Sequence, residues 1–249
     1  MIRLAFISVF LVFVWGFATG QNRLRLAPPI AEVPQAIFED SVAIALHFGM
    51  AEAQIEWKRK DGDWMAYAGS IVGEESEVYY ARTTANGFLP SEETRFEIIK
   101  MGKRFSLLLV TPPSEKYPGI SLRDGIKASG NFQDPQWMGF DAERVVLRVK
   151  VEEGTQSLRL EFLNDPGSWI LLPESVELQA KTEIGEVIGR SSGKLWRDDP
   201  GSHSVFLGLP ETTSLPEYWE IIILPADLPE GHPGAGKKAW IFVDEILAY

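Results

Sequence analysis

Short runs of alternating polar and apolar residues decide what this chain can fold into. Val145, Leu147, Val149 and Val151 fall on one side of such a run, with Arg144, Arg148 and Lys150 on the other. Leu158, Leu160 and Phe162 alternate with Arg159 and Glu161. Val176, Leu178 and Ala180 alternate with Ser175, Glu177 and Gln179. Upstream, Val42, Ile44, Leu46 and Phe48 alternate with Ser41, Ala43, Ala45 and His47, and Ile55 and Trp57 with Glu56 and Lys58. A period of two is that of a strand, and half-apolar strands belong to antiparallel sheets with one solvated face. Residues 77–83, 203–208, 218–224 and 239–247 supply further strands, and Phe96 and Ile98 close an upstream block. Asp61-Gly62 and Asn86-Gly87 are turn signals between strands. No stretch beyond residue 20 sustains a helical period. The expected fold is therefore all-β, two β-sandwiches, since many short strands separated by turns favour that architecture. Met101-Gly102-Lys103 is the expected boundary, giving blocks 26–100 and 101–249, with residues 105–110 as the first strand of the second block.

The first twenty residues are read as separate from the fold. Arg3 is their only charged side chain, the run 4–17 is almost wholly apolar, and Ala18-Thr19-Gly20 supplies small residues. This order is that of a secretory signal peptide at residues 1–20. The alternative, a membrane anchor, needs about 20 apolar residues, and the run is shorter. No Cys follows, which excludes a lipoprotein anchor. The chain has 0 Cys among its 249 residues. That removes a disulfide scaffold, a thiolate-bound zinc and a catalytic thiol, and fits a bacterial envelope protein, periplasmic or exported beyond the cell, better than a secreted protein of other origin. A net charge of -11 without a basic block excludes nucleic acid as a partner, because phosphate binding needs clustered Lys and Arg.

Four pieces of the second block carry a resemblance. They are Leu122-Arg123-Asp124-Gly125-Ile126, Gln136-Trp137-Met138-Gly139-Phe140, residues 167–177 (GSWILLPESVE), and Gly231-His232-Pro233-Gly234 followed by residues 238–246 (KAWIFVDEI). In this order they resemble the galactose-binding-like (discoidin, factor 5/8 type C) jelly roll at the C-terminal end of bacterial family 20 β-N-acetylhexosaminidases. The first block, through Ile55-Glu56-Trp57, Asp61-Gly62, Tyr67 and Gly87-Phe88-Leu89-Pro90-Ser91, is similar to the Ig-like hexosaminidase C-terminal module that precedes that jelly roll. The resemblance implies an Ig-like domain followed by a jelly roll, without the family's catalytic barrel. It implies a secreted, non-catalytic carbohydrate-binding or adhesion protein for amino-sugar- or galactose-containing glycans, acting beside a separately encoded glycoside hydrolase. The alternatives are a structural module that binds an envelope protein, and a remnant of a hexosaminidase.

The motifs that suggest chemistry weigh toward binding. Asp244-Glu245 matches the hexosaminidase's Asp-Glu pair but lies in an expected strand, where neighbouring side chains face opposite ways, so the two should not converge. Residues 231–238 (GHPGAGKK) approach the G-x-x-x-x-G-K phosphate loop, yet Lys238 stands where Ser or Thr should hold magnesium, and a strand follows. They are expected to form a turn-rich loop. His47, His203 and His232 lie far apart, without metal spacing or a nucleophile elbow. The resemblance implies a structural Ca²⁺ held near Asp124 and Glu245; Ca²⁺ takes 6–8 oxygens, many of them backbone carbonyls. Candidate sugar contacts are Trp196, Arg197 and Asp198 in a polar stretch, with Asn131, Gln133, Trp137, Asp165, Trp169 and His203 elsewhere in the second block's loops. Trp137 and Trp169 have packing as their alternative role. Trp57, Trp64 and Tyr67 are read as core of the first block.

Overall fold

The computed structural model describes residues 23–195, 199–212 and 214–249. Among them the regular elements are strands and one short 3₁₀ turn. The upstream strands are β1 (Ile30–Glu32), β2 (Ile37–Phe38), β3 (Val42–His47), β4 (Gln54–Arg59), β5 (Met65–Ala66), β6 (Ile71–Gly73), β7 (Glu77–Thr84) and β8 (Thr94–Lys100). The downstream strands are β9 (Phe105–Leu109), β10 (Met138–Phe140), β11 (Val145–Val151), β12 (Ser157–Asn164), β13 (Ser175–Lys181), β14 (Val187–Gly193), β15 (Gly201–Gly208), β16 (Tyr218–Leu224) and β17 (Ile241–Ala248).

Upstream, a three-stranded sheet in the order β1-β3-β6 faces a five-stranded sheet in the order β2-β8-β7-β4-β5. All pairs are antiparallel except β2 with β8. This is the strand arrangement of an Ig-like sandwich. Its core is Phe38, Val42, Ile44, Leu46, Ile71, Tyr79, Ala81 and Ile98, with Trp57 and Tyr67 packed against it. Trp64 lies elsewhere, correcting the expectation that it is core. Strand parity sends Lys58 and Arg82 to the outer face, and Trp64 lies there, 4.9 Å from Lys58 Nζ and 4.1 Å from Arg82 Cζ. A Trp between two cations is held by cation–π attraction rather than by the core.

Downstream, sheets in the orders β14-β13-β16-β11-β9 and β10-β17-β12-β15 pack face to face as a jelly roll. The alternating residues read from the sequence meet between them: Val145, Leu147 and Val149 with Leu158, Leu160, Phe162, Val176 and Leu178. The polar side of β11, β13 and β16 is solvated and carries cross-strand ion pairs such as Arg148 with Glu220 at 3.0 Å.

The outer face of the four-stranded sheet is solvated toward β15, where Phe206 is exposed, but not along β12. Arg159 and Glu161 point there from β12, yet they are 4% and 1% exposed. The upstream sandwich covers them. Arg159 donates to Glu161 Oε1 at 2.7 Å and to Glu97 Oε1 of β8 at 2.8 Å. Lys127 Nζ lies 3.3 Å from Glu161. Burial pushes the Glu161 carboxyl up, but Lys127 and Arg159 together outweigh it and hold it below the ordinary range. Beside this network Ile37, Ile99 and Leu247 form a small apolar seam between the sandwiches. Gly102 lies on that seam: a Cβ there would come 1.8 Å from the Ala248 carbonyl oxygen, so only Gly lets the chain pass.

Breaking a buried pair from one side leaves the other charge uncompensated, which costs about 3–5 kcal/mol. Arg159→Met is expected to lower stability by about that amount in urea unfolding, and adding Glu161→Gln should recover part of it. A loss within the range of surface ion pairs, below about 1 kcal/mol, would contradict a buried network.

Candidate functional site

The connection between β9 and β10, residues 110–137, is long and irregular, the kind of loop that in compact domains is usually functional. Its backbone needs partners, and β17 supplies them through a bulge. Phe162 and Leu160 of β12 pair with Val243 and Ile246, so β17 holds one extra residue at Asp244-Glu245. An extra residue breaks the alternation of faces. Both carboxylates therefore reach the same loop, which corrects the expectation that they diverge. Glu245 Oε1 accepts the N–H groups of Asp124 and Gly125 at 2.8 and 3.0 Å, and Asp244 Oδ2 accepts that of Ala128 at 2.8 Å. Burial pushes the Asp244 carboxyl up to about 7 and the Glu245 carboxyl up to about 9, the latter with help from the Asp124 carboxyl beside it. Asp244 Oδ1 and Glu245 Oε2 are buried without a hydrogen-bond partner.

Pinned in this way, the loop lays aromatic side chains over the far end of the sheet. Tyr117 is the hub: its ring centroid is 6.1 Å from Phe132, 5.5 Å from Trp240 and 4.9 Å from Phe242. Tyr117 is fixed to β10 because its carbonyl accepts from Gly139 N at 2.9 Å. Phe132 is fixed by a tight turn in which the Asp134 carboxylate accepts from the N–H groups of Ser129 and Gln136. Those two donors hold the Asp134 carboxyl below its ordinary value. Trp240 and Phe242, two apart where the chain enters β17, share a face.

Trp169 completes the wall. It ends the 3₁₀ turn Pro166–Ser168 with φ 66°, a left-handed conformation unfavourable for a bulky side chain. Such strain persists where surrounding contacts enforce it, and it concentrates at binding sites. Here the Trp169 carbonyl accepts from Trp240 N at 2.9 Å. The ring rests on Gly234, where a Cβ would come within 2.7 Å of it. His232 stands edge-on at 5.0 Å. The Gly-rich loop 231–238 thus seats an aromatic ring, and among its side chains Lys238 pairs with Asp227 at 2.8 Å.

Together Lys116, Tyr117, Phe132, Ser168, Trp169 and Trp240 line an open cleft of about 350 Å³, floored by Phe242 and Ile170. That lies within the range of small-ligand sites. Ring faces carry partial negative charge, so the cleft suits the slightly positive C–H face of a pyranose.

The residues proposed from sequence fall differently. Trp137 is 1% exposed and donates its indole N–H to the Ser129 carbonyl at 2.8 Å, so it packs the loop and offers no ring to a ligand. Asn131 is exposed in the Phe132 turn, its Oδ1 accepting from Gln133 N. Asp165 caps the 3₁₀ turn that carries Trp169, bonded through its backbone to Ile170. Trp196, Arg197 and Asp198 lie outside the described residues, as does the segment 1–20. Tyr117, Phe132 and Trp240 were not among the sequence candidates. Tyr117 and Phe132 lie more than a hundred residues before Trp240 and share no local pattern with it; the Trp240/Phe242 spacing was their one legible sign. His47 pairs with Glu32, His203 with the Asp199 carbonyl, and His232 with Gly234 N, in three separate places.

Among the described residues no three His, Asp or Glu side chains gather to hold a metal. The donor chemistry near Glu245 nonetheless fits a hard cation: its Oε2 is buried and unpaired, and Asp124 commits one oxygen to Ile126 N. Among the described residues no helix is long and apolar enough to cross a membrane.

No protein-family model matches the chain, and no curated protein matches it. Alignments to solved structures are distant. A carbohydrate-binding module of the β-sandwich superfamily aligns over 90% of this chain and 98% of its own, with 11% identity and a TM-score of 0.29. A SusE-like protein aligns over 88% and 97%, with 11% identity and a TM-score of 0.29. A two-domain protein of unknown function from Bacteroides fragilis aligns over 89% and 94%, with 9% identity and a TM-score of 0.35. The fold and the cleft rest on the sheet pairing and side-chain contacts above.

Raised carboxyl values make folding take up protons. The contribution of Asp244 and Glu245 is whole below the ordinary carboxylate range and is lost as pH rises through about 7 and then about 9. In metal-free buffer, stability is expected to fall by several kcal/mol between pH 5 and 8, about 1.4 kcal/mol per pH unit for each carboxyl that the fold keeps protonated. Asp244→Asn should flatten that slope, because the amide keeps an acceptor for Ala128 N. Urea titrations across this range check it, and an equal slope in the variant would contradict the assignment.

Proposed function

We propose that this chain is a non-catalytic carbohydrate-binding protein whose ligand site is the aromatic cleft of the downstream sandwich. The observation that carries the reading is the convergence of Tyr117, Phe132, Trp169 and Trp240 around one open cavity, with Trp169 held in a strained conformation to take part. Half-buried aromatic rings that converge on one open cavity suit a binding site, since ligand pockets are lined mostly by aromatic and apolar side chains. Stacking on rings accepts a pyranose face without requiring charge on the sugar. The chemistry asked of the protein is recognition alone. In this reading the chain is exported and works as hexosaminidase-tail modules do, bringing a glycan, amino-sugar- or galactose-containing, to a separately encoded glycoside hydrolase or to the cell envelope.

The reading includes a structural Ca²⁺ held by Asp124 and Glu245 with backbone carbonyls. Bound there, the ion would neutralise Glu245, one of whose oxygens the fold otherwise buries unpartnered, and would tighten the loop that carries Tyr117 and Phe132.

Two measurements test this. On a glycan array the purified chain should bind a coherent set of glycans. Trp169→Ala and Trp240→Ala should each weaken that binding at least about tenfold, the scale of a central aromatic contact, with the fold retained by circular dichroism. Unchanged binding in both variants would move the site elsewhere. In the second measurement a chelator should lower the melting temperature by several degrees, reversed by added Ca²⁺; an unchanged melt would remove the metal.

A further inference from the structure

The side-chain hydrogen-bonding inventory of the cleft is one-sided. Its charged lining residue is Lys116, whose ammonium lies 5.0 Å from the Tyr117 ring centroid and makes no ion pair among the described residues. Neither the Trp169 nor the Trp240 indole N–H has a partner within the described protein, whereas the buried Trp137 indole does. Lysine and indole only donate; the hydroxyls of Tyr117 and Ser168 do either. Among the described residues no carboxylate and no side-chain amide lines the cleft. This is unusual against the background, since the chain as a whole carries a net charge of -11. A neutral sugar presents hydroxyls, each of which donates as well as accepts, and a matched site offers acceptors to them.

From this we propose that the cleft selects an anionic pyranose, one bearing a carboxylate or a sulfate ester, with Lys116 as the residue that reads the charge. The inference rests on the carbohydrate-binding reading of the same cleft. The aromatic walls take the C–H face of the ring, and the acceptor-only anionic group is directed to the rim where Lys116 stands. Ammonium–carboxylate and ammonium–sulfate hydrogen bonds are charge-assisted and stronger than those to neutral hydroxyls. Because Lys116 is exposed, water and salt moderate the gain, which places the expected preference near that of a surface ion pair, about fivefold.

The test is calorimetric titration of the full chain with matched ligands: glucuronic acid, glucose 6-sulfate and glucose, and galacturonic acid, galactose 6-sulfate and galactose, each as the methyl glycoside. A glycan array holding uronate, sulfated and neutral members accompanies it. Wild type is compared with Lys116→Met, which keeps the aliphatic stem on Tyr117. The expected result is about fivefold tighter binding of at least one charged sugar than of its neutral counterpart, weakened by added NaCl. In Lys116→Met the charged and neutral partners should bind alike. The uronate and sulfate arms show which anion the cleft takes. Neutral sugars that bind as tightly as charged ones in wild type would overturn the charge selection and leave the cleft reading standing. A preference that survives Lys116→Met would also overturn it, since the charge would then be read elsewhere. A folded wild type that binds nothing in either format would overturn the cleft reading and this inference with it.

Discussion

Two carboxylates at the bulge of β17 hold the downstream sandwich in its working form. A long loop laid over a sheet has many backbone groups to satisfy, and buried N–H groups left unpaired are costly. Asp244 and Glu245 accept three of them, from Asp124, Gly125 and Ala128. The cost is burial of two acids whose remaining oxygens lack partners, visible in their raised affinity for protons. A bound proton or a bound cation relieves the same strain, so pH and metal are expected to act on one element. Moving that element moves Tyr117 and Phe132, because both sit on the loop it anchors.

The cleft is built from three segments that meet only in the folded chain: the pinned loop, the 3₁₀ turn before Trp169, and the first residues of β17. Each is fixed by backbone pairing to its neighbour, Tyr117 to Gly139 and Trp169 to Trp240. The rings are thus set by the fold itself, and preorganisation of this kind would reduce the entropy lost on binding a ligand. The left-handed Trp169 and the close approach of Gly234 are the local compromises that this arrangement requires.

The other end of the same sheet face is closed by the upstream sandwich. Arg159 bridges Glu161 of its own strand and Glu97 of β8, and Lys127 of the pinned loop joins the same carboxylates. One face thus carries aromatic rings at one end and an ionic network at the other. Lys127 follows the anchored Asp124–Ile126 turn directly, so the loop that shapes the cleft also takes part in joining the two sandwiches.

Alternation in β3, β11, β12 and β13 made the all-β class and the core residues legible, because burial of one strand face imposes a period of two whatever the partner strand is. The turn-rich nature of residues 231–238 was legible too, from Gly and Pro. The same alternation misled where Arg159 and Glu161 appeared to face water, since a sequence does not say what packs on a sheet's second face. It misled again at Asp244-Glu245, because a bulge is a property of pairing between strands and leaves no mark in either strand alone. Trp137 and Trp169 looked equivalent as aromatic loop residues, yet one became packing and the other part of a wall. What the sequence determined was therefore the periodic part of the structure, set by local geometry and hydrophobic burial. What only the tertiary structure decided was which aromatic rings, hundreds of ångströms of contour apart in an extended chain, share one cavity, because that depends on strand order, register and one extra residue in β17.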